Sequence, residues 1–177
     1  MAYSVQRTGY TAFVNETADL GVALVTPQGE IFGYPRGIGI AVFSNLDMSD
    51  AIAAIDKWEQ GDVVITNDPY NSGGMASHLP DVNVVAPAFH DGRLLGFGCV
   101  RAHWPDIGSA TPGSYGAVTE VYGEGLRLPP VKFFKKGEMD QEILAILMSN
   151  MRIADQRIGD IKAQAAALTT GEQRLTA

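Results

Sequence analysis

The chain has three histidines, and two of them stand where metal chemistry is possible. His78 and Asp81 lie together in Ser77-His-Leu-Pro-Asp81, and His103 lies in Arg101-Ala-His-Trp-Pro-Asp106. Imidazole nitrogen combined with carboxylate oxygen suits a borderline divalent cation such as zinc, manganese or iron(II). Two histidines and one carboxylate also leave coordination positions open for water or substrate, as catalytic sites require. Asp68, in Asn67-Asp-Pro-Tyr70, and Asp106 are further carboxylates. Either suits orienting an imidazole or accepting a proton as general base. Each residue has a purely structural alternative: His78 capping a turn, His103 as a satisfied half-buried side chain, Asp68 as the Asx turn ahead of Pro69. His90, beside Asp91 and Gly92, reads as a solvated turn residue. Cys99 sits in an apolar run with no base beside it and reads as buried filler. Gly73-Gly74 lacks the lysine and the spacing of a phosphate-binding loop.

The elements that position these residues follow from periodicity and turn chemistry. Val82–Phe89 and Leu94–Val100 read as buried strands, the second running on to His103, and His90-Asp-Gly-Arg93 between them has hairpin-turn composition. Antiparallel pairing then brings Asp81 and His103 to the same edge, because the midpoint of 81 and 103 falls at 92, inside the turn. Upstream, Leu20–Val25, Thr26–Gly29 and Glu30–Tyr34 read as strand, turn and strand, and Gly39–Phe43 as a further short strand. Ser49 is placed to cap a helix over Asp50–Trp58, and Val63–Ile65 reads as a buried strand. From about Trp104 to Pro130 the chain is rich in Gly and Pro, a long irregular stretch of the kind that carries function or interactions. Asp140 can cap a helix over Gln141–Arg152, with Ile143, Leu144, Leu147 and Met151 on one face. Ile158, Ile161, Ala165 and Leu168 continue at helical spacing; that stripe must pack on this chain's own sheet, on a partner, or on sequence outside the chain. The fold class is α+β: a largely antiparallel sheet region followed by C-terminal helices.

Composition narrows the function classes. A chain of 177 residues is long enough for one domain with a real core. Thirteen Lys and Arg against 20 Asp and Glu give a net charge of −7, and with no basic cluster nucleic acid is excluded as a partner. A single cysteine excludes an internal disulfide framework and fits a reducing compartment. Apolar runs are strand-length, so no membrane span is expected, and the N-terminus has no apolar signal core. A cytoplasmic location is the expectation.

Several ordered blocks resemble the hydantoinase B/oxoprolinase family, which includes the N-methylhydantoinase B proteins and the α subunits of acetone and acetophenone carboxylases. They are Gly61-Asp-Val-Val-Ile-Thr-Asn-Asp-Pro-Tyr70, His78-Leu-Pro-Asp81, Arg101-Ala-His103 with Asp106-Ile-Gly108, Thr111-Pro-Gly-Ser114 and Glu124-Gly125. Leu128-Pro-Pro-Val131, Asn150-Met-Arg152 and Gly159-Asp-Ile-Lys-Ala-Gln164 continue the resemblance, and Glu16-Thr-Ala-Asp19 opens it. The resemblance implies one domain over residues 1–177, matching only the N-terminal third of a family subunit without its usual leading helix. It divides into a β-rich start (1–48), metal-site strands (61–103), a Gly/Pro-rich loop (104–130) and a helical end (140–172). It implies work in a complex, a homo- or hetero-oligomer, with a hydantoinase A-type subunit that handles ATP. Such complexes open cyclic amides or carboxylate ketones after phosphorylating a substrate oxygen. It also implies a divalent metal on His78, Asp81 and His103. The Ser72-Gly-Gly-Met-Ala-Ser77 loop is longer than the common family spelling and is more similar to the carboxylase branch. Trp104 stands where a second histidine is frequent, and Ser109 replaces a glycine. The implied functions are therefore a cyclic-amide hydrolase component, a ketone carboxylase component, or a non-catalytic structural piece of such a complex.

Overall fold

The computed structural model describes residues 1–38, 47–112 and 117–176. Its centre is one hairpin. Strand β4 (Asp81–His90) turns at Asp91 and Gly92 into β5 (Arg93–His103). Both turn residues have positive φ, +50° and +75°, the backbone hand that matches the twist of the flanking strands. The register runs from Asp81 opposite His103 to Ala88 opposite Gly96, and a bulge then shifts it to Phe89 opposite Leu94. The edge pairing expected from the sequence is therefore present.

Around the hairpin the described residues form a seven-stranded antiparallel sheet in the order β2-β1-β5-β4-β3-β6-β7. The other strands are β1 (Leu20–Val25), β2 (Ile31–Gly33), β3 (Val63–Thr66), β6 (Val131–Lys135) and β7 (Glu138–Met139). Side chains alternate between two buried faces. Leu20, Val22, Val82, Val84, Val100 and Ala102 point to one face, where Trp104, Ile161, Ala167 and Leu168 complete the core. Ala23, Val25, Val85, Phe97 and Cys99 point to the other, under Met48, Ala51, Ile52 and Met75. Burial on both faces is why the central strands are almost continuously apolar.

Helices α1 (Ala2–Thr8) and α2 (Ala12–Asn15) precede β1, where the sequence reading places no helix. Only Ala2 and Val5 of α1 are buried, too few positions to give a period. Helix α3 spans Ser49–Ala53, shorter than the expected 50–58, with Met48 rather than Ser49 at the cap position. Trp58 lies beyond its end and donates its indole N–H to the Ile52 carbonyl, 3.1 Å away. The β6–β7 hairpin has no counterpart in the sequence reading, although Lys136 and Gly137 at its turn again both have positive φ. The strand expected at Gly39–Phe43 lies outside the described residues.

Asp140 caps α4 (Gln141–Asn150) as expected, its Oδ1 accepting the backbone N–H groups of Glu142 and Ile143. Helix α5 (Ala154–Leu175) lies across β4 and β5 and packs against α1, so Ile161 and Leu168 of its apolar stripe are buried by this chain's own elements, whereas Ile158 and Ala165 are half-buried. The stripe is also partly polar: Arg157, Asp160 and Gln164 are buried with Ile161 and Leu168. Asp160 Oδ1 accepts the backbone N–H groups of Tyr10 and Thr11, tying the first helices to the last.

Candidate metal centre

Asp81 starts β4 and His103 ends β5, so the register alone places the two side by side on the face that carries Cys99 and Phe97. His78 arrives from the turn just before β4. Asp81 Oδ1 lies 3.1 Å from His78 Nε2 and 3.4 Å from His103 Nδ1. One ligand atom from each of the three residues falls within 4.8 Å of the others. The second carboxylate oxygen faces elsewhere: Asp81 Oδ2 accepts a hydrogen bond from the Ser77 hydroxyl at 3.1 Å and forms a close ion pair with Arg101. One oxygen is thus turned to the imidazoles and the other to a guanidinium.

Asp81 and His103 are buried and His78 is half-buried. Desolvation is the largest influence on both histidines and pulls their pKa values below the usual imidazole range, with Arg101 acting in the same direction. Asp19 opposes this at both rings, and Glu124 opposes it at His78. A lowered pKa keeps the rings neutral near pH 7, and a neutral imidazole is the form that ligates metal. Burial also draws Arg101 down to about 10, which leaves it charged at neutral pH. Two neutral imidazoles and a carboxylate converging on one point fit a divalent cation in donor chemistry.

The loops around the cluster are fixed by side chains that the sequence reading did not single out. Buried Asn67 donates its amide to the carbonyls of Leu79 (2.7 Å) and Leu126 (2.9 Å) and accepts the Leu128 N–H (2.7 Å). Glu124, in a 3₁₀ turn (Val121–Glu124), accepts the Leu79 N–H at 2.8 Å. The turn bearing His78 is therefore held by loops 66–72 and 121–128 together. Gly125 sits where a Cβ would meet the Ile107 carbonyl oxygen at 2.4 Å, so this approach requires glycine. Arg101 was readable in one respect: it is two residues before His103 in the same strand, hence on the same face.

Asp68 and Asp106 are not part of the three-residue cluster. Fully buried Asp68 closes an Asx turn, Oδ1 accepting from the backbone N–H groups of Tyr70 (2.9 Å) and Asn71 (3.3 Å), and Oδ2 from the Asn71 amide (2.6 Å). Asp106 accepts from the backbone N–H of Gly108 and from both the backbone and guanidinium of Arg152, linking the exit of β5 to the α4–α5 junction. His90 is exposed and Cys99 is buried, as their surroundings in sequence imply.

With this geometry in place, the chain can be set beside known proteins. It belongs to the hydantoinase B/oxoprolinase family, whose model matches residues 1–177. It is 36% identical over 98% of its length to the B component of a putative D-/L-hydantoinase from Pseudomonas sp. strain NS671, covering 30% of that protein. Its structure is similar to the ATP-dependent caprolactamase from Pseudomonas jessenii, with a TM-score of 0.77 and 29% identity over 98% of this chain and 31% of that one. The fold is also similar to nucleotide-free acetone carboxylase, with a TM-score of 0.83 at 20% identity, over 96% of this chain and 23% of that one. The chain therefore spans less than a third of the length of these relatives. Among the described residues no helix is long and apolar enough to cross a membrane.

Proposed function

We propose that this chain is the metal-bearing part of an ATP-dependent enzyme that opens cyclic amides, acting with a hydantoinase A-type subunit that handles ATP. The observation that carries the proposal is the convergence of His78 Nε2 and His103 Nδ1 on Asp81 Oδ1. Family membership and the hydantoinase and caprolactamase names of its relatives support the reaction class.

In this reading His78, Asp81 and His103 hold manganese, zinc or iron(II). A cation so held supplies Lewis acidity toward a substrate carbonyl or lowers the pKa of a water molecule. Arg101 and Ser77 fix the carboxylate of Asp81, so that only Oδ1 is presented to the imidazoles. Asn67 and Glu124 fix the turn that delivers His78. Asp68 and Asp106 anchor loops through the N–H donors to their oxygens, and either remains available to accept a proton from the substrate site.

The Ser72–Ser77 loop supports a second reading, a component of an acetone- or acetophenone-type ketone carboxylase. Both readings expect near-stoichiometric metal in the purified chain, lost in His103→Ala, by elemental mass spectrometry. Metal at background level in the wild-type chain sinks both and favours a non-catalytic structural piece. Given metal, ATP turnover with the ATP-handling partner separates them: stimulation by hydantoin marks the hydrolase, and stimulation by acetone with bicarbonate marks the carboxylase.

A further inference from the structure

We infer that Arg127, with Tyr70 and Tyr122, forms an oxyanion subsite, tied through Asn67 to the turn that bears His78, which takes a carboxylate or phosphoryl group of the substrate. The substrate role rests on the reading above; the subsite itself rests on geometry. The Arg127 guanidinium carbon lies 5.6 Å from the Tyr70 ring centre and 5.8 Å from that of Tyr122, both within cation–π range. The two rings are 67% and 75% exposed, so nothing in the core requires them there.

Arg127 is not consumed by its protein partner. Its Nε stands 3.5 Å from Asp68 Oδ2, at the outer limit of a hydrogen bond, and the carboxylate of Asp68 is already served by the backbone N–H groups of Tyr70 and Asn71 and by the Asn71 amide. Among the described residues neither Nη atom has a hydrogen-bond partner, and the side chain is 36% exposed. A planar cation paired loosely with Asp68, with no hydrogen bond from its outer N–H edge among the described residues and aromatic faces beside it, matches the geometry of a planar or phosphoryl oxyanion.

The subsite is also held in place relative to the cluster. Leu126 and Leu128, on either side of Arg127, are both bonded to Asn67, which also holds Leu79 next to His78. Glu124, two residues from Tyr122, bonds the Leu79 N–H. A group bound at Arg127 is thereby positioned with respect to His78 through two independent contacts.

The test is titration of the metal-free chain, followed by NMR at the Arg127 Nε–H and the amides of Tyr70 and Tyr122. The probes are inorganic phosphate, acetate and neutral acetamide at constant ionic strength. Saturable shifts with phosphate alone support the subsite and assign it a phosphoryl group; saturable shifts with acetate alone support it and assign a carboxylate. Acetamide is expected to give none. Arg127→Met is expected to abolish binding, and Arg127→Lys to weaken it by about tenfold or more, because an ammonium neither stacks nor binds two oxygens in parallel. Since Arg127→Met leaves Asp68 without its guanidinium and can fail to fold, Tyr122→Ala, which touches only one exposed ring, is expected to weaken binding several-fold on an intact fold. Absence of a saturable shift with either anion, or equal binding in Arg127→Lys and Tyr122→Ala, overturns the inference. Metal content, measured separately, decides the reading above: anion binding without metal sinks that reading alone, and metal without anion binding sinks this one alone.

Discussion

Asp81 divides its two oxygens between a cationic partner and the histidines, and this division makes the site sensitive to Arg101. Both side chains are nearly buried, so removing the guanidinium leaves an uncompensated carboxylate. Arg101→Met should cost on the order of 3 kcal/mol in urea unfolding without metal. Added manganese should then raise the melting temperature of this variant more than that of the wild-type chain, since the ion replaces the lost positive charge; equal shifts would count against metal at Asp81. Two other buried carboxylates, Asp62 and Asp68, contribute stability that acid removes. Burial alone would raise Asp62 and Asp68, but hydrogen bonds from Lys132 and the backbone at Asp62, and from Asn71 and the Tyr70 N–H at Asp68, hold both below the usual range. Such depressed groups stabilise the fold above the unfolded value, near 3.9, and lose that contribution as pH falls through their lower folded values. Urea midpoints should therefore decline as the pH falls below about 4, and Asp62→Asn should flatten that decline. The pairing of Asp81 with His103 was legible in the sequence because one hairpin and a period of two decide it. The partners of Asp106 were not, because Arg152, whose backbone and guanidinium it accepts from, lies 46 residues further on.

At the scale of elements, α5 holds the strand ends that carry Asp81 and His103 through Gln164. Its amide donates to the carbonyls of Val82 in β4 (3.1 Å) and Val100 in β5 (3.2 Å), and its oxygen accepts the Trp104 indole N–H (3.3 Å) next to His103. Gln164→Leu keeps a similar volume but strands these groups, so a loss of about 1–3 kcal/mol is expected. Because the same bonds join the end of the hairpin, metal affinity should fall as well. Asp140→Ala is the control: it removes the cap of α4, costs about 1 kcal/mol, and should leave metal affinity unchanged. Equal metal affinity in Gln164→Leu and Asp140→Ala would show that α5 does not position the ligands. The polar residues of α5 also explain what the sequence concealed. Ile161 and Leu168 mark the buried side, but Arg157, Asp160 and Gln164 interrupt it, so periodicity alone leaves open what the helix covers. β4, β5 and α4 were legible because turn and cap chemistry flank them. α1, β6 and β7 bury too few side chains to leave a pattern.

For the whole molecule, the two apolar clusters lie on opposite faces of the same strands, and each cluster uses alternate residues of β1, β4 and β5. A strand cannot lose its packing on one face and keep its register on the other, so both clusters should melt together. The fold also joins distant ends, with α1 against α5 and Asp160 bonded to Tyr10 and Thr11 across about 150 residues. The two tryptophans report the faces separately. Trp104 is buried in the cluster under α5, whereas Trp58 packs edge-on against Phe97 on the other face, with ring centres 4.9 Å apart. Trp58→Phe therefore isolates the signal of the first face and Trp104→Phe that of the second. Each variant, unfolded in urea, should give a fluorescence transition that coincides with its own far-ultraviolet circular dichroism, which is dominated by α4 and α5. If the Trp58 signal is lost at lower urea than the helical signal in Trp104→Phe, the face carrying the histidine cluster opens as a separate unit. Coincident transitions in both variants would mean that the site is as stable as the sheet it stands on.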